Sequence, residues 1–203
     1  EFFDSENLKF AMWYLPERVC GNEFRILRSV ADALHYIHGE GVLHLDIKPE
    51  NILVAADLGV RLIDFSLAVT KRDRLLRFGK QQWGGTPLYM PPEQIRGEKI
   101  SPAADQYAFG ATAFELFCRK PPFMGVNQSS ILEKHLRQPA PSLRTQVKDA
   151  PAEIDRFIQR MLAKDPKDRY PDMAAVKSEI ARLEEQFGTQ WLGAPPPTEG
   201  QAA

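Results

Sequence analysis

The pattern of apolar and polar positions along this chain predicts a mostly helical protein. Between residues 23 and 38, apolar side chains recur with the spacing of one face of an amphipathic helix. A short helix is predicted over 128–137, and amphipathic helices over 151–162 and 172–187. The segment 104–118 is apolar nearly all round, which is typical of a helix that is buried on every side.

Strand signals are confined to one short region. Apolar runs at 52–55 and 60–63, separated by a turn at 57–59, predict two strands joined in a hairpin. Residues 70–83 are polar and basic and predict a surface loop, while the Gly- and Pro-rich stretch 84–93 predicts neither regular helix nor sheet. The predicted fold class is therefore mostly α, or α+β, with a small β-hairpin.

Composition narrows the classes of function that fit this chain. Of 203 residues, 43% are hydrophobic, and 26 Lys and Arg against 27 Asp and Glu give a net charge of −1. That balance gives no reason to expect a nucleic-acid or membrane-surface partner. Cys20 and Cys118 form no disulfide framework or zinc motif, which favours a reducing, cytoplasmic compartment. No apolar run approaches the ~18 residues that a membrane helix needs, and no signal peptide is recognisable.

The segment HLDIKPEN at 44–51 holds the strongest candidate chemistry. Asp46 and Asn51 lie just before the first predicted strand, and Asp64 ends the second. Because a hairpin brings its two ends together, we expect these three side chains to converge. Two carboxylates and an amide oxygen suit Mg²⁺ or Mn²⁺ carrying phosphates, and Lys48 adds a positive charge for a phosphoryl group in transfer. The set therefore predicts phosphoryl transfer.

The motif H-x-D-x-K-x-x-N followed by D-F resembles the catalytic loop and metal-binding motif of eukaryotic-type protein kinases. Further motifs resemble that family in the family's order, with GTP at 85–87, YMPPE at 89–93 and DQYAFG at 105–110. The resemblance extends from residue 1 to about 187. Over this range the amino-acid sequence is most similar in type to bacterial Ser/Thr kinases of the eukaryotic-like class. Lys48 and Thr86 point to Ser/Thr rather than Tyr substrates.

The resemblance implies a role for each matching residue. Asp46 would accept or orient the proton of the substrate hydroxyl, and Lys48 would neutralise the transferring phosphate of ATP. Asn51 and Asp64 would hold Mg²⁺ or Mn²⁺. The remaining implied assignments are Thr86 and Glu50 in substrate docking, the backbone of Glu1 and Phe3 in contact with adenine at the hinge, and His44, Phe65, Glu93, Asp105 and Arg169 in structural support. Glu50 has a simpler interpretation as solvated surface charge.

Two positions depart from the family pattern. Leu45 replaces an arginine that normally pairs with a phosphate on the activation loop, so phosphorylation of that loop is predicted not to be the activating switch. Ser66 replaces the glycine after Asp-Phe. Because serine adopts positive φ only at a cost, we expect Asp64 to flip out of the site less often than in the family.

The family's glycine-rich loop, its strand lysine and the glutamate partner of that lysine have no match in this sequence. We therefore expect residues 1–187 to form a carboxy-terminal kinase lobe without its amino-terminal lobe, followed by a Pro-rich flexible tail over 188–203. Alone, such a lobe would transfer phosphate negligibly. Its expected partners are the amino-terminal lobe of the same kinase and a protein substrate with Ser or Thr, either in the cytoplasm or in the cytoplasmic domain of a membrane-anchored kinase.

Two other functions stay open from the sequence. A pseudokinase-like scaffold or a truncated lobe acting as a binding module is favoured by the missing lobe, Leu45 and Ser66. A small-molecule phosphotransferase shares H-x-D-x-x-x-x-N, but it is disfavoured by Lys48 and by the segment 84–93.

Overall fold

The computed structural model describes residues 4–76 and 84–188, which form helices and a small sheet. In chain order the helices are α1 (Leu8–Tyr14), α2 (Pro16–Val19), α3 (Glu23–Gly39), α4 (Lys71–Leu76), α5 (Pro92–Ile95), α6 (Pro102–Cys118), α7 (Gln128–Arg137), α8 (Ala152–Met161) and α9 (Met173–Phe187). The strands are β1 (Ser5–Asn7), β2 (Ile52–Ala55) and β3 (Val60–Leu62). The mostly helical fold class is confirmed.

The sheet is antiparallel with strand order β1-β2-β3. The predicted hairpin is confirmed as β2 and β3, with Ile52 opposite Leu62. The sequence reading missed β1, which pairs with β2 so that Ser5 lies opposite Ala55. Its three residues carry no alternation of apolar and polar side chains, so period-two patterning could not reveal it.

Helix α6 forms the centre of the core. Every residue from Ala104 to Cys118 is buried, which confirms the prediction from its all-round apolar surface. Gly110 allows α6 and α8 to approach closely, because a Cβ atom built there would lie 2.7 Å from the Cβ of Met161. Helix α3 packs on α9 and on α6, and buries its apolar face there. The amino-terminal end of α6 lies against residues 44 and 45 at the start of the candidate site.

Two predictions about the middle of the chain need correction. The expected surface loop at 70–83 is wrong for its first half, because α4 forms there after Thr70, whose amide and hydroxyl both donate to the Asp73 carboxylate. Residues 77–83 lie outside the described part of the chain. The irregular stretch expected at 84–93 holds only up to Pro91, which caps α5.

Glu93 and Arg169 form a buried, bidentate ion pair. The two guanidinium nitrogens lie 2.7 and 2.9 Å from the two carboxylate oxygens. The same guanidinium donates to the carbonyls of Ala103 and Ala163 at 2.7 and 2.9 Å. Since all these partners are internal, the pair fixes α5 to the start of α6 and to the end of α8.

Three expectations concern the compartment and the ends of the chain. Cys20 and Cys118 are both free thiols. Within residues 4–76 and 84–188, no helix combines the length and apolar character needed to cross a bilayer. The division at residue 187 into a lobe and a Pro-rich tail stays a prediction, because residues 189–203 lie outside the described part of the chain.

Replacing Arg169 with Met should lower the free energy of unfolding by about 3–5 kcal/mol, because Glu93 would keep a buried charge without its partner. Urea unfolding measures this loss. Arg182→Met is the matched control, since Arg182 pairs with Glu179 on the exposed surface of α9 and such pairs contribute about 1 kcal/mol or less. Equal losses in the two variants would contradict the assignment of the buried pair.

Glu23 begins α3 as a buried acid. One carboxylate oxygen accepts a 2.8 Å bond from the Gly21 amide, and the other lies 3.8 Å from the Arg119 guanidinium, beyond hydrogen-bond range. Burial raises the pKa of Glu23 from 4.5 to about 7, although the nearby amides and Arg119 partly oppose this rise. The folded protein therefore binds a proton at Glu23 at pH values where the unfolded chain has lost it.

The contribution of Glu23 to stability should fall as pH rises from about 4.5 to about 7. Glu23→Gln removes the titrating group, so the difference in unfolding free energy between wild type and variant should change across that window. Urea unfolding at several pH values measures it. Glu185→Gln, on the exposed face of α9, is the control for loss of one carboxylate. If the difference in unfolding free energy between wild type and Glu23→Gln does not depend on pH, the claim is refuted.

Candidate active site

The segment 44–46 is held by a carboxylate from the core. Asp105 is fully buried in the first turn of α6, where the helix dipole favours negative charge. Its two oxygens accept the backbone amides of His44 at 2.9 Å and Leu45 at 2.7 Å. The Nε2 atom of His38 lies 2.8 Å from the Asp105 oxygen that also accepts the His44 amide. Two backbone donors therefore fix the start of the loop to α6, and His38 attaches α3 to the same carboxylate.

This attachment stabilises an unusual backbone. Leu45 has φ of 65°, a left-handed conformation that a branched side chain adopts only with strain. The ring of His44 lies beneath Phe65, with centroids 4.7 Å apart, and its Nε2 lies 3.0 Å from the Ile63 carbonyl. The structure thus places His44, Phe65 and Asp105 together behind the loop that carries Asp46.

Asp46, Lys48 and Thr86 form one hydrogen-bonded cluster. The Asp46 Oδ1 atom accepts both the amide and the hydroxyl of Thr86, at 3.1 and 2.9 Å. The Lys48 ammonium lies 2.6 Å from Oδ2 of Asp46 and donates to the Thr86 hydroxyl at 2.9 Å. These four contacts hold the carboxylate and the ammonium in a single relative orientation.

Asn51 connects this cluster to the hairpin. Its side-chain nitrogen donates to the Asp46 backbone carbonyl at 2.8 Å and to the Asp46 carboxylate at 3.1 Å. The backbone carbonyl of Asn51 accepts a 3.0 Å hydrogen bond from the backbone amide of Ile63, the residue before Asp64. The sequence predicted that Asp46, Asn51 and Asp64 would meet at one end of the hairpin. These bonds join Asp46 to Asn51 and attach Asn51 to the residue before Asp64.

Asp64 lies at the exposed rim of the site. It has φ of 63°, and its Oδ1 accepts the amide of Ser66 at 3.2 Å. Hydrogen bonds from Ser66, with smaller contributions from the charge of Lys48 and from His44, lower the pKa of Asp64. Ser66 is not among the residues with positive φ, so the serine adds no backbone strain in this conformation. In this conformation Ser66 acts on Asp64 through hydrogen bonds. The expectation that Asp64 flips out of the site less often concerns a different conformation and stays a prediction.

The oxygens of Asn51 and Asp64 fit a hard divalent cation. Both bonds from Asn51 use its nitrogen, which leaves the amide oxygen Oδ1 as the atom for a metal. Among the residues in the described ranges, no three His, Cys, Asp or Glu side chains cluster around a common point. One amide and one carboxylate nevertheless suit Mg²⁺, which is commonly bound by few protein ligands together with water and phosphate oxygens.

The segment that carries Thr86 is attached at several points. Gly85 has φ of 142°, which favours glycine, and a Cβ atom there would lie 2.7 Å from the Gln94 side chain. The Gln94 amide donates to the Gly84 carbonyl. The Tyr89 hydroxyl donates to the buried Glu115 carboxylate at 2.5 Å, and Lys9 of α1 forms an ion pair with that same carboxylate. These contacts fix residues 84–89 relative to Asp46.

The remaining predicted site residues are Glu50, Glu1 and Phe3. Glu50 is exposed, and its charge contributes to the raised pKa of Tyr89, after burial and Glu115. Glu1 and Phe3 lie outside the described residues, so their predicted contact with adenine stays a prediction.

Sequence reasoning missed several residues that support the site. His38 and Lys9 act on it through Asp105 and Glu115, and His135 reaches the Leu88 carbonyl from α7. These partners are far apart in sequence. Only the apolar surroundings of Glu115 within α6 gave a local hint that a buried charge needs a partner.

Leu45 belongs to a small apolar cluster beside the loop. Its buried neighbours there are Leu43, Val69, Ile100 and Ala104. Leu43 and Val69 also exchange two backbone hydrogen bonds of 2.9 and 3.0 Å. Apolar contact and backbone pairing thus join the loop to the chain after Asp64. In the family pattern an arginine stands at the position of Leu45.

A carboxylate fixed beside a lysine, with an amide and a second carboxylate at its edge, is the arrangement of a phosphoryl-transfer site. The sequence matches the family model described as a protein kinase domain over residues 8–180, and the chain belongs to that family. The resemblance seen in the sequence is confirmed.

Similar proteins include mycobacterial kinases. The chain is 38% identical to the serine/threonine-protein kinase PknF of Mycobacterium tuberculosis over 149 residues, which cover 71% of this chain and 31% of that protein. It is 30% identical to the serine/threonine-protein kinase PknB of Mycolicibacterium smegmatis over 170 residues, which cover 79% of this chain and 26% of that protein. The chain thus spans about a quarter to a third of the length of these relatives.

Proposed function

We propose that this chain is the catalytic lobe of a Ser/Thr protein kinase that transfers the γ-phosphoryl group of ATP to serine or threonine hydroxyls of proteins. The observation that carries the proposal is the cluster of Asp46, Lys48 and Thr86, in which one carboxylate oxygen and the ammonium share the threonine hydroxyl. Membership of the kinase family and the similarity to kinases whose names specify serine/threonine support it.

Each residue in the cluster would have a distinct task. Asp46 is surrounded by four donor atoms, which hold its carboxylate in a fixed position. It would orient the substrate hydroxyl and receive its proton as the hydroxyl oxygen forms its bond to phosphorus. Lys48 would balance the negative charge of the transferring group. Thr86 would hold these two side chains at a fixed separation next to the docked substrate.

Asn51 Oδ1 and the Asp64 carboxylate would hold Mg²⁺ or Mn²⁺. When bound, the ion would neutralise charge on the phosphates of ATP. The lowered pKa of Asp64 keeps this carboxylate ionised and available as a ligand well below neutral pH. An amino-terminal lobe of the same kinase, which would cover the ATP phosphates, and a protein substrate remain the proposed partners, and a cytoplasmic location is proposed with them.

Asp46→Asn should lower kcat by about 100-fold or more, because removal of a general base typically costs that much, while the fold is retained. The measurement is phosphate transfer from ATP to a protein substrate by the full-length gene product. Asp32→Asn, on the exposed surface of α3, is the matched control. Full activity of Asp46→Asn would contradict the proposed roles. Wild-type protein that binds partners but transfers no phosphate would favour the scaffold alternative.

Thr70→Glu should change activity by less than about twofold, because Leu45 offers no charge for an acidic group to pair with. The Thr70 hydroxyl already donates to Asp73 at 2.7 Å. The same transfer assay measures the effect, with Thr70→Gln as the neutral control of similar size. A severalfold rise for the glutamate variant alone would show that a negative charge on this segment activates the enzyme.

A further inference from the structure

His135 is a buried titratable residue with no part in the chemistry proposed above. It lies on α7 and is fully buried, although the polar residues Glu133 and Arg137 on either side of it are exposed. An edge-on contact places its ring 4.8 Å from the ring of Phe123, centroid to centroid. A polar ring in such a place needs hydrogen-bond partners, and it has two.

Both ring nitrogens of His135 are hydrogen-bonded. Nε2 lies 3.1 Å from the backbone carbonyl of Leu88, and Nδ1 lies 2.9 Å from the hydroxyl of Tyr107. A carbonyl can only accept, so Nε2 carries the hydrogen. In a neutral ring Nδ1 is then an acceptor, and the Tyr107 hydroxyl donates to it.

The far end of this chain of bonds is a lysine. The Lys164 ammonium donates to the Tyr107 oxygen at 3.3 Å and lies 4.4 Å from the centroid of the Phe123 ring. Burial, together with the charge of Lys164, lowers the pKa of His135 to about 4, so the ring is neutral near pH 7. The hydrogen bonds therefore run in one direction, from Lys164 through Tyr107 and His135 to the Leu88 carbonyl.

The Leu88 carbonyl belongs to the segment that presents Thr86 to Asp46. Thr86 is bonded to Asp46 and Lys48, and the hydroxyl of Tyr89 is bonded to Glu115 of α6. The Tyr89 amide also donates to the Thr86 carbonyl at 3.0 Å, which closes a tight turn over residues 86–89. His135 attaches this turn to α7, in addition to the turn's attachments to the catalytic loop and to α6.

We propose that His135 is a positioning residue that holds the turn 86–89 for docking of the protein substrate. The proposal rests on the proposed kinase function. The bond from Nε2 to Leu88 performs this task, while Tyr107 and Lys164 set the tautomer that makes Nε2 the donor. Because the contact is to the segment beside Thr86 and not to Asn51 or Asp64, it acts on the peptide substrate and leaves ATP binding unchanged.

Three substitutions in the full-length gene product separate the two bonds of the ring. His135→Gln can place an amide N–H where Nε2 lies, and so retains donation to Leu88. His135→Asn can place an acceptor where Nδ1 lies, and so retains only the bond from Tyr107. His135→Phe preserves the ring and loses both bonds. His35→Gln, on the exposed surface of α3, is the control.

The Asn and Phe variants should raise KM for a protein substrate by about tenfold, since the partly buried Leu88 carbonyl would lose its donor. The Gln variant should remain within about threefold of wild type, and KM for ATP should be unchanged in all three. The proposal is overturned if Gln is impaired as much as Phe, if Asn behaves as wild type, or if KM for ATP rises as much as KM for protein.

A second measurement tests the hydrogen bond from His135 to Leu88 independently of activity. Nitrogen chemical shifts of His135 should show the Nε2–H tautomer, and amide hydrogen exchange at Tyr89 should accelerate in the Phe variant and not in the Gln variant. The opposite tautomer, or equal exchange in both variants, would refute the positioning role. If the wild-type protein transfers no phosphate to proteins, the proposed function fails while this measurement still tests the contact.

Discussion

The buried carboxylate of Asp105 is the constraint on which the candidate site depends. A charged group with no exposure to solvent is tolerated only when its oxygens are well bonded, and here the backbone amides of His44 and Leu45 and the ring of His38 meet that need. In return, the carboxylate holds Leu45 in a left-handed conformation and directs Asp46 toward Thr86. Because Asp105 lies in the first turn of α6, the geometry of the loop is fixed by the core.

The same helix supports the site at two further positions. Tyr107 reaches His135 and through it the Leu88 carbonyl, while Glu115 accepts the Tyr89 hydroxyl and pairs with Lys9. Three buried side chains of α6 thus contact the catalytic loop, α7 and α1. The polar network and the apolar core are therefore parts of one structure, and loss of core packing around α6 would also disturb the site.

The sequence predicted those parts of the structure that local patterning controls. The helices α3 and α6 and the hairpin of β2 and β3 follow from the periodicity of apolar residues, and the hydrogen bond from the Ile63 amide to the Asn51 backbone carbonyl follows from the hairpin. Strand β1 was missed because its three residues carry no pattern and it pairs with β2 across some 50 positions. His135 was missed for a related reason, since its partners Tyr107 and Leu88 become its neighbours only after α6 and α7 pack.

Amide hydrogen exchange of an Asp105→Asn variant tests most directly whether this carboxylate organises the site. Asparagine keeps the size of the side chain but replaces one acceptor with an N–H group, so one amide of the pair His44 and Leu45 loses its partner. We predict faster exchange at these two amides and at the Ile63 amide, with exchange in α9 unchanged. Unaltered protection at His44 and Leu45 in a folded variant would contradict the account.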